Sequence, residues 1–294
     1  MGHGALSGKE RGQSEMLELS LLFSPLEIRG MKLRNRINMA PMVTNYATIR
    51  GEVTDRLITY YATRSHGGAG LITVEAAKGG EVPWELTLAD IERIQSNFVQ
   101  AARRAKEAGF DAVTLHAGHG YLINAFLSPH SNKRQDGYGD SPRARARFGL
   151  EILQQVRAEV GEDFPVLCRL TADEFIDGGL RLEDAQQIAT WLGEEGVDAI
   201  DVSAGTIETA YMTNLYMMFP RGIHVPLAAG IKEKVSVPVF AIGRINDPLL
   251  AEKILVEGKA DGITTGRALI ADPELPNKAR EGCLDEICPC IACL

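Results

Sequence analysis

Short apolar runs that alternate with amphipathic helices are the feature that most constrains the fold of this chain. Seven of these runs have the character of buried strands, and they begin near residues 37, 69, 111, 165, 198, 237 and 261. Strands that are apolar on both faces and alternate with helices indicate a parallel α/β sheet. This many strand–helix units in a chain of 294 residues favour a TIM-type (β/α)8 barrel.

The number of strands is one short of a complete eight-stranded barrel. Between Glu75, at the end of the second strand, and the helix predicted over 87–108 lies only the segment AAKGGEVPWEL. A parallel crossover needs roughly a dozen residues or more including its helix, so this segment cannot supply both a helix and a strand. Either the barrel has seven strands, or a strand–helix unit after the second strand is missing and two sheet edges are exposed.

Composition and charge argue against several classes of protein. The chain has 31 basic and 39 acidic side chains, a net charge of −8, and no basic cluster interleaved with aromatic residues, which argues against nucleic-acid binding. It has no run of 18 apolar residues, so we expect no membrane span. The first 16 residues lack the apolar core of a signal peptide, which predicts a disordered leader and a cytoplasmic protein.

Four of the five cysteines crowd the C-terminal end of the chain, as Cys283, Cys288, Cys290 and Cys293. In a chain without an export signal, this clustering favours metal or redox chemistry over structural disulfides. Cys168 instead lies in an apolar strand and is predicted to be an inert core thiol. The predicted organisation is a leader over 1–16, a barrel over 17–282 and a cysteine-rich tail over 283–294.

The principal candidate site lies where the third strand ends, in the sequence HAGHGY. His116, His119 and Tyr121 bring two imidazoles and a phenol to the C-terminal end of a parallel strand, where α/β proteins place their binding sites. A histidine pair could also bind a metal ion. Because no third ligand is near in the sequence, a metal site is the weaker interpretation.

A buried arginine is the second candidate. Arg169 lies inside the apolar run VLCRLT, and a buried guanidinium needs an anionic or carbonyl partner. A structural ion pair with Asp173 or Glu174 is one way to satisfy it. A ligand at the end of the strand is the other.

Two Gly-Arg pairs form the third candidate. Gly243-Arg244 and Gly266-Arg267 each close one of the last two strands. Glycines permit close approach to the backbone, arginines neutralise negative charge, and a helix N-terminus favours an anion. The two pairs together predict a phosphate site.

Five segments of the chain, in order, carry a resemblance to a known family: LFSPLEIRGMKLRNRINMAPM, HAGHGYLINAFLSPHSNKRQDGYG, GRINDP, GRALIADPEL and CPCIAC. The chain resembles the old yellow enzyme family, and most closely its 2,4-dienoyl-CoA reductase and enoate reductase branch of NADH:flavin oxidoreductases. The resemblance runs from about Leu22 to the C-terminus and is broken only around 77–84. It implies an eight-stranded barrel that holds FMN at its C-terminal mouth.

The resemblance also implies a role for each candidate residue. Arg169 would face the pyrimidine edge of the flavin, and the two Gly-Arg pairs would bind its phosphate. The two histidines would bind a substrate carbonyl oxygen and stabilise the developing enolate, while Tyr121 would deliver a proton to the α-carbon. The positions expected to pack on the flavin are Pro41, Met42, Val43 and Ala76.

These roles predict an FMN-dependent oxidoreductase that takes hydride from NADH or NADPH and reduces an activated C=C bond. The substrate would be a small α,β-unsaturated molecule such as an enone or an enoyl thioester. One alternative is a truncated barrel that no longer turns over and serves as a flavin-binding or assembly module. Another is a flavin-free phosphate-binding barrel such as an aldolase or isomerase, for which Lys78 is the only Lys near a strand end.

Two further expectations concern the ends of the barrel. Cys290 and Cys293 match only the first half of the iron–sulfur motif of the larger family members, so we expect no intact cluster. The Met- and Tyr-rich segment 203–219 suits a bulky apolar substrate. It would serve equally well as a subunit interface, which would make the protein a homo-oligomer.

Overall fold

A computed structural model describes residues 18–48, 51–75 and 85–293. No helix in these ranges is long and apolar enough to cross a membrane. The strands are β1 Leu26–Ile28, β2 Met31–Leu33, β3 Ile37–Met39, β4 Leu71–Ile72, β5 Val113–Ala117, β6 Val166–Thr171, β7 Ala199–Ser203, β8 Val239–Ala241 and β9 Gly262–Thr265. The helices are α1 Asp55–His66, α2 Leu88–Glu107, α3 Leu122–Leu127, α4 Pro142–Val160, α5 Leu182–Glu194, α6 Ala210–Thr213, α7 Val225–Lys232, α8 Pro248–Val256, α9 Arg267–Ala271 and α10 Leu275–Arg280, followed by a 3₁₀ turn at Leu284–Glu286.

The seven predicted strands all form, and they pair in parallel as one sheet in the order β4-β3-β9-β8-β7-β6-β5. Strand β3, the first of the series, pairs with β9, the last, which is the closure expected of a barrel. The α/β architecture predicted from the alternation of strands and helices is therefore confirmed. The second strand is shorter than predicted, because only Leu71 and Ile72 of the run 69–75 pair with β3.

The longer helices begin where the sequence places their caps. The hydroxyl of Thr54 accepts the backbone N–H of Leu57, and Thr87 forms a capping box with Asp90. Helix α4 begins at Pro142 and is capped by the side chain of Ser141. The short helices α3, α6 and α9 were not predicted, because four to six residues are too few to show a 3.6-residue period.

A small hairpin closes the N-terminal end of the sheet. Strands β1 and β2 are antiparallel and turn at Arg29-Gly30, with φ values of 43° and 77° that suit a tight hairpin turn. Ile28 and Leu33 pack from the hairpin into a cluster with Phe240 of β8. This apolar cluster covers the sheet under the hairpin, and we look for a site at the opposite end, where the parallel strands finish. We call that end the mouth.

The sheet has two edges, because β4 and β5 each pair with a described strand on one side only. Residues of both edge regions, Leu71 and Ile72 of β4 and Asp111 just before β5, line one cavity of about 780 Å³ at the hairpin end. The segment 76–84, which connects toward α2, lies outside the described residues. The predicted leader 1–16 and the positions Ala76 and Lys78 also lie outside them.

The largest part of the core lies between the sheet and the helices around α4. Phe148 of α4 is fully buried and stacks on Phe126 of α3, with ring centroids 4.1 Å apart. Burial of an aromatic side chain of this size is a major favourable term in the stability of a core.

Phe148→Ala should therefore lower the free energy of unfolding by about 3–5 kcal/mol, since it removes a stacked ring and leaves a cavity. The matched control is Phe110→Ala, because Phe110 is 48% exposed just before β5. Urea denaturation followed by circular dichroism measures both. An equal loss for the two variants would contradict the assignment of Phe148 to the core.

Candidate active site

The lower layer of the site consists of side chains that the register of neighbouring strands places side by side. His116 of β5 lies opposite Arg169 of β6, and Arg169 lies opposite Asp201 of β7. Nη1 of Arg169 donates to Oδ2 of Asp201 at 2.9 Å, and both side chains are only 7% exposed. The prediction that Arg169 forms its ion pair with Asp173 or Glu174 is therefore wrong. Residues four or five positions along an extended strand are more than ~12 Å away, whereas a registered neighbour is adjacent.

The two rejected carboxylates have other partners. Asp173 accepts from Nη1 of Arg181 at 3.2 Å, near the surface. Glu174 is buried and accepts from Asn124, from Ser128 and from the backbone N–H of Leu180. Glu174 therefore ties α3 to the loop after β6 instead of neutralising Arg169.

A second layer lies above the ion pair. The backbone at His119 is left-handed, with φ of 60°, and its N–H donates to Oγ1 of Thr171 at 2.9 Å. This turn places Nε2 of His119 2.6 Å from Oγ of Ser203. The ring of His116 lies 5.1 Å from that of His119 and 5.2 Å from that of Tyr121, measured between centroids. The three residues predicted from the sequence HAGHGY are thus neighbours at the mouth.

The environment keeps both imidazoles uncharged. Burial, followed by the positive charge of Arg169, lowers the pKa of His116 from 6.5 to about 4. The same two causes, in the same order, lower the pKa of His119 to about 2. Each ring at neutral pH therefore carries a single N–H, so it donates at one nitrogen and accepts at the other. Tyr121 is 47% exposed and reaches toward solvent at the rim.

The two Gly-Arg pairs meet on one segment of backbone. Nη1 of Arg244 donates to the carbonyl of Met217 at 3.0 Å and contacts the carbonyl of Phe219. Arg267 donates to the carbonyl of Leu215. Because both guanidinium groups reach the same segment, the ends of β8 and β9 bring two cationic side chains together, as the phosphate prediction requires.

The segment after the first strand lies against the end of the last strand. A Cβ added to Gly266 would lie 2.5 Å from Sδ of Met42, so a larger residue there would displace the Met42 side chain. Just beyond it, Val43 is 53% exposed, and Thr44 is anchored by Oγ1 to Glu75 at 3.0 Å. Of the predicted flavin-packing positions, those described here (Pro41, Met42 and Val43) therefore lie at the mouth.

The residues at the mouth fit a flavin mononucleotide. Buried polar atoms there have no hydrogen-bond partner among the residues that the structure describes, and leaving such atoms unpaired costs about 1–3 kcal/mol each. The unpaired N–H groups of Arg244 and Arg267, which follow the neighbouring strands β8 and β9, suit a phosphate. The guanidinium of Arg169 suits the polar edge of a flavin ring. These atoms are His116 Nδ1, Arg169 Nε, Asp201 Oδ1, Arg244 Nε and Arg267 Nη1.

The cysteine-rich tail packs beside the arginine pair. The carbonyl of Cys290 accepts from Asn246 at 2.9 Å, and that of Ala292 accepts from the backbone N–H of Met217 at 3.0 Å. All five thiols are free, and no group of three metal-ligating side chains occurs within the described ranges. Burial raises the pKa of Cys168 to about 12, which suits the predicted inert core thiol. That no iron–sulfur cluster forms stays a prediction.

Three residues at the mouth were not singled out from the sequence. Asp201 and Ser203 lie on β7, where an acidic residue inside the apolar run DAIDVS was the available signal. His224 is buried beside them, with Nε2 2.9 Å from the carbonyl of Met212. A lone histidine at the start of a helix gives no comparable signal in the sequence.

A sequence profile of the NADH:flavin oxidoreductase / NADH oxidase family matches residues 21–81 and 78–286. The chain is 39% identical over 341 residues to the NADH oxidase of Thermoanaerobacter brockii, an alignment that covers 92% of this chain and 52% of that protein. It belongs to this family. The resemblance to the old yellow enzymes is thereby confirmed, as are FMN and NADH or NADPH as the cofactors of the family.

Other members of the NADH:flavin oxidoreductase family differ in length. The NADPH dehydrogenase of Bacillus subtilis strain 168 is 33% identical over 317 residues, covering 86% of this chain and 92% of that protein. The Metal reductase of Desulforamulus reducens is 41% identical over 341 residues, covering 94% of this chain and 51% of that protein. The chain thus spans about half the length of the two longer relatives.

Solved structures of the family share the fold. A 2-naphthoyl-CoA reductase in complex with 2-naphthoyl-CoA superposes with a TM-score of 0.88 at 26% identity, over 94% of this chain and 54% of that one. The old yellow enzyme homologue of Zymomonas mobilis superposes with a TM-score of 0.73 at 24% identity, over 89% of this chain and 92% of that one. At that lower identity the likeness supports the barrel-type fold alone.

Replacement of Asp201 by Asn should lower the free energy of unfolding by about 3–5 kcal/mol, because the Arg169 charge stays buried without its anionic partner. Urea denaturation at neutral pH measures the loss. Glu107→Gln is the control, since Glu107 and Arg103 form an exposed pair, 66% and 54% exposed, worth about 1 kcal/mol or less. A loss in Asp201→Asn no larger than in the control would show that the buried pair is not what stabilises this layer.

Proposed function

We propose that the chain is an FMN-dependent oxidoreductase that uses NADH or NADPH to reduce an activated C=C bond in a small α,β-unsaturated substrate. The observation that carries the proposal is the convergence of His116, His119 and Tyr121 at the mouth, above the buried Arg169. Within the family we place the chain in the 2,4-dienoyl-CoA reductase and enoate reductase branch. The likeness to a 2-naphthoyl-CoA reductase supports an enoyl thioester as the substrate class.

The two histidines would bind the carbonyl oxygen of the substrate. Both are neutral at physiological pH, and a neutral imidazole donates one N–H without placing a full charge in the site. Two such donors held in place before the reaction stabilise negative charge that develops on the oxygen, without reorganisation of solvent. The partly buried hydrogen bond between His119 and Ser203 keeps one of the rings in position.

Tyr121 would supply the proton for the α-carbon. It begins α3 as the N-cap residue, and its ring lies beside His116 at 5.2 Å. Because the side chain is half exposed, its hydroxyl can reach a substrate at the rim and exchange its proton with water afterwards. A positioned general acid of this kind contributes about 10²–10⁴ in rate.

The remaining mouth residues would hold the cofactor. Arg244 and Arg267 would bind the phosphate of FMN, Arg169 would donate to the polar edge of the flavin ring, and the segment 41–43 would cover it. When bound, FMN supplies hydride transfer between the nicotinamide and the substrate. Asp201 would hold the guanidinium of Arg169 in place.

We further propose that the barrel lacks one strand–helix unit after β4. The alignments with two relatives are 341 residues long, more than the 294 residues of this whole chain, so each alignment includes positions with no counterpart here. The two matches to the family profile also meet at residues 78–81, inside the segment that is too short for such a unit. Single-sided pairing of β4 and β5 supports the same interpretation.

The two open sheet edges at β4 and β5 support a second candidate function, a flavin-binding or assembly module that does not catalyse the reaction. An open sheet edge weakens the enclosure that a reactive site needs. We also propose a cytoplasmic protein. Self-association through the Met- and Tyr-rich segment 203–219 is a further proposal, supported by the exposure of Met217 and Met218, at 58% and 80%.

Tyr121→Phe should slow reoxidation of the NADPH-reduced protein by cyclohexenone about 10²-fold or more, since the proton donor is lost. Bleaching of the flavin by NADPH should keep its wild-type rate, because that half-reaction does not use the phenol. Stopped-flow absorbance of the FMN-loaded protein measures both half-reactions.

The matched control is Tyr138→Phe, which removes a phenol whose hydroxyl donates to Glu151 on α4 and not to a residue of the candidate site. It should leave both half-reactions unchanged. An equal loss of both half-reactions in Tyr121→Phe would contradict the proton-donor role. Wild-type protein that binds FMN but is not bleached by NADPH would instead favour the module.

A further inference from the structure

The contact between His119 and Ser203 has a chemical consequence that goes beyond the placement of the ring. A neutral imidazole has one N–H, and the proton lies on either Nδ1 or Nε2. In His119, Nε2 is engaged by Ser203 at 2.6 Å, while Nδ1 makes no hydrogen bond to any residue in the described ranges. Which nitrogen carries the proton decides whether His119 offers the mouth a donor or an acceptor.

The surroundings of Ser203 determine the direction of this hydrogen bond. Ser203 is only 4% exposed, and His119 is the single hydrogen-bond partner of its Oγ among the described residues. If Nε2 donated, the hydroxyl proton of Ser203 would be buried without an acceptor, at a cost of about 1–3 kcal/mol. If Ser203 donates, its proton is paired and Nε2 is the acceptor.

Neighbouring groups do not offer the serine another acceptor. Oγ1 of Thr171, the residue paired with Ser203 in strand register, already accepts the backbone N–H of His119 at 2.9 Å and donates to the carbonyl of Gly205 at 3.3 Å. The backbone carbonyl of Ser203 itself accepts from Ala172. Burial keeps His119 from becoming doubly protonated, so the two nitrogens cannot both be donors.

We propose that Ser203 is a positioning residue that donates its hydroxyl proton to Nε2 of His119 and thereby holds the imidazole in the tautomer with Nδ1–H. The Nδ1–H group is then free to donate at the mouth to a carbonyl or phenolate oxygen. This inference deepens the proposed function, on which its relevance to the substrate rests. The tautomer itself depends only on the folded chain.

The test is a ¹H–¹⁵N long-range correlation spectrum of histidine-labelled protein without FMN, at pH 7.5. His119 is assigned from the signal that disappears in His119→Gln. In the wild type we expect Nδ1 to resonate as a protonated nitrogen and Nε2 as an unprotonated one. In Ser203→Ala, His119 should shift to the Nε2–H form or to a mixture, and Ser203→Thr should restore the wild-type tautomer.

A second readout uses the FMN-loaded protein and para-hydroxybenzaldehyde as the phenolate probe. Ser203→Ala should weaken binding of this probe about tenfold, and Ser203→Thr should restore it. Ser131→Ala is the control, because that serine lies in the exposed loop after α3, bonded to the carbonyl of Ala125, and its loss should change neither readout.

Wild-type His119 protonated on Nε2, or an unchanged tautomer in Ser203→Ala, would overturn the inference. If the tautomer behaves as expected but the probe binds neither the wild type nor any variant, the proposed function fails while the assignment of Ser203 stands. The two failures are therefore distinguishable.

Discussion

A charge buried inside a parallel sheet must find its partner on the next strand, and the mouth of this protein is arranged around that requirement. Arg169 on β6 is paired with Asp201 on β7 in register, and His116 on β5 completes the row. The same register places Thr171 opposite Ser203 one layer higher, where both contact His119. The backbone hydrogen bonds between these strands are the same as in any parallel sheet, yet they fix the positions of all five side chains relative to one another.

The fixed positive charge explains the chemistry available above it. Burial, together with the charge of Arg169, lowers the pKa of both imidazoles and keeps them neutral, so the site can offer hydrogen-bond donors without attracting counter-charges of its own. At the far side of the mouth, Arg244 and Arg267 carry the charge that a phosphate needs. In the proposed function, this separation of neutral donors from cationic side chains would let one end of the sheet hold an anionic cofactor and still polarise a carbonyl group.

Much of this arrangement follows from local sequence. Caps such as Thr54, the turn at Arg29-Gly30 and the fully apolar strands are local signals, so the elements and the three residues His116, His119 and Tyr121 could be predicted. The register between strands, in contrast, depends on residues that are far apart in the sequence. The partner of Arg169 therefore could not be predicted from spacing along its own strand, and the contact of Ser203 with His119 spans 84 residues. It also depends on a left-handed residue that only the flanking glycines in AGHGY suggest.

The account depends above all on the mouth binding FMN, and the most direct measurement is the visible spectrum of the purified chain after incubation with FMN and removal of the unbound cofactor. The account predicts a flavin spectrum at close to one FMN per chain. In the double variant Arg244→Gln and Arg267→Gln, it predicts that the bound flavin is lost while the far-ultraviolet circular dichroism is kept. A colourless wild-type protein, or a double variant that retains as much FMN as the wild type, would contradict it.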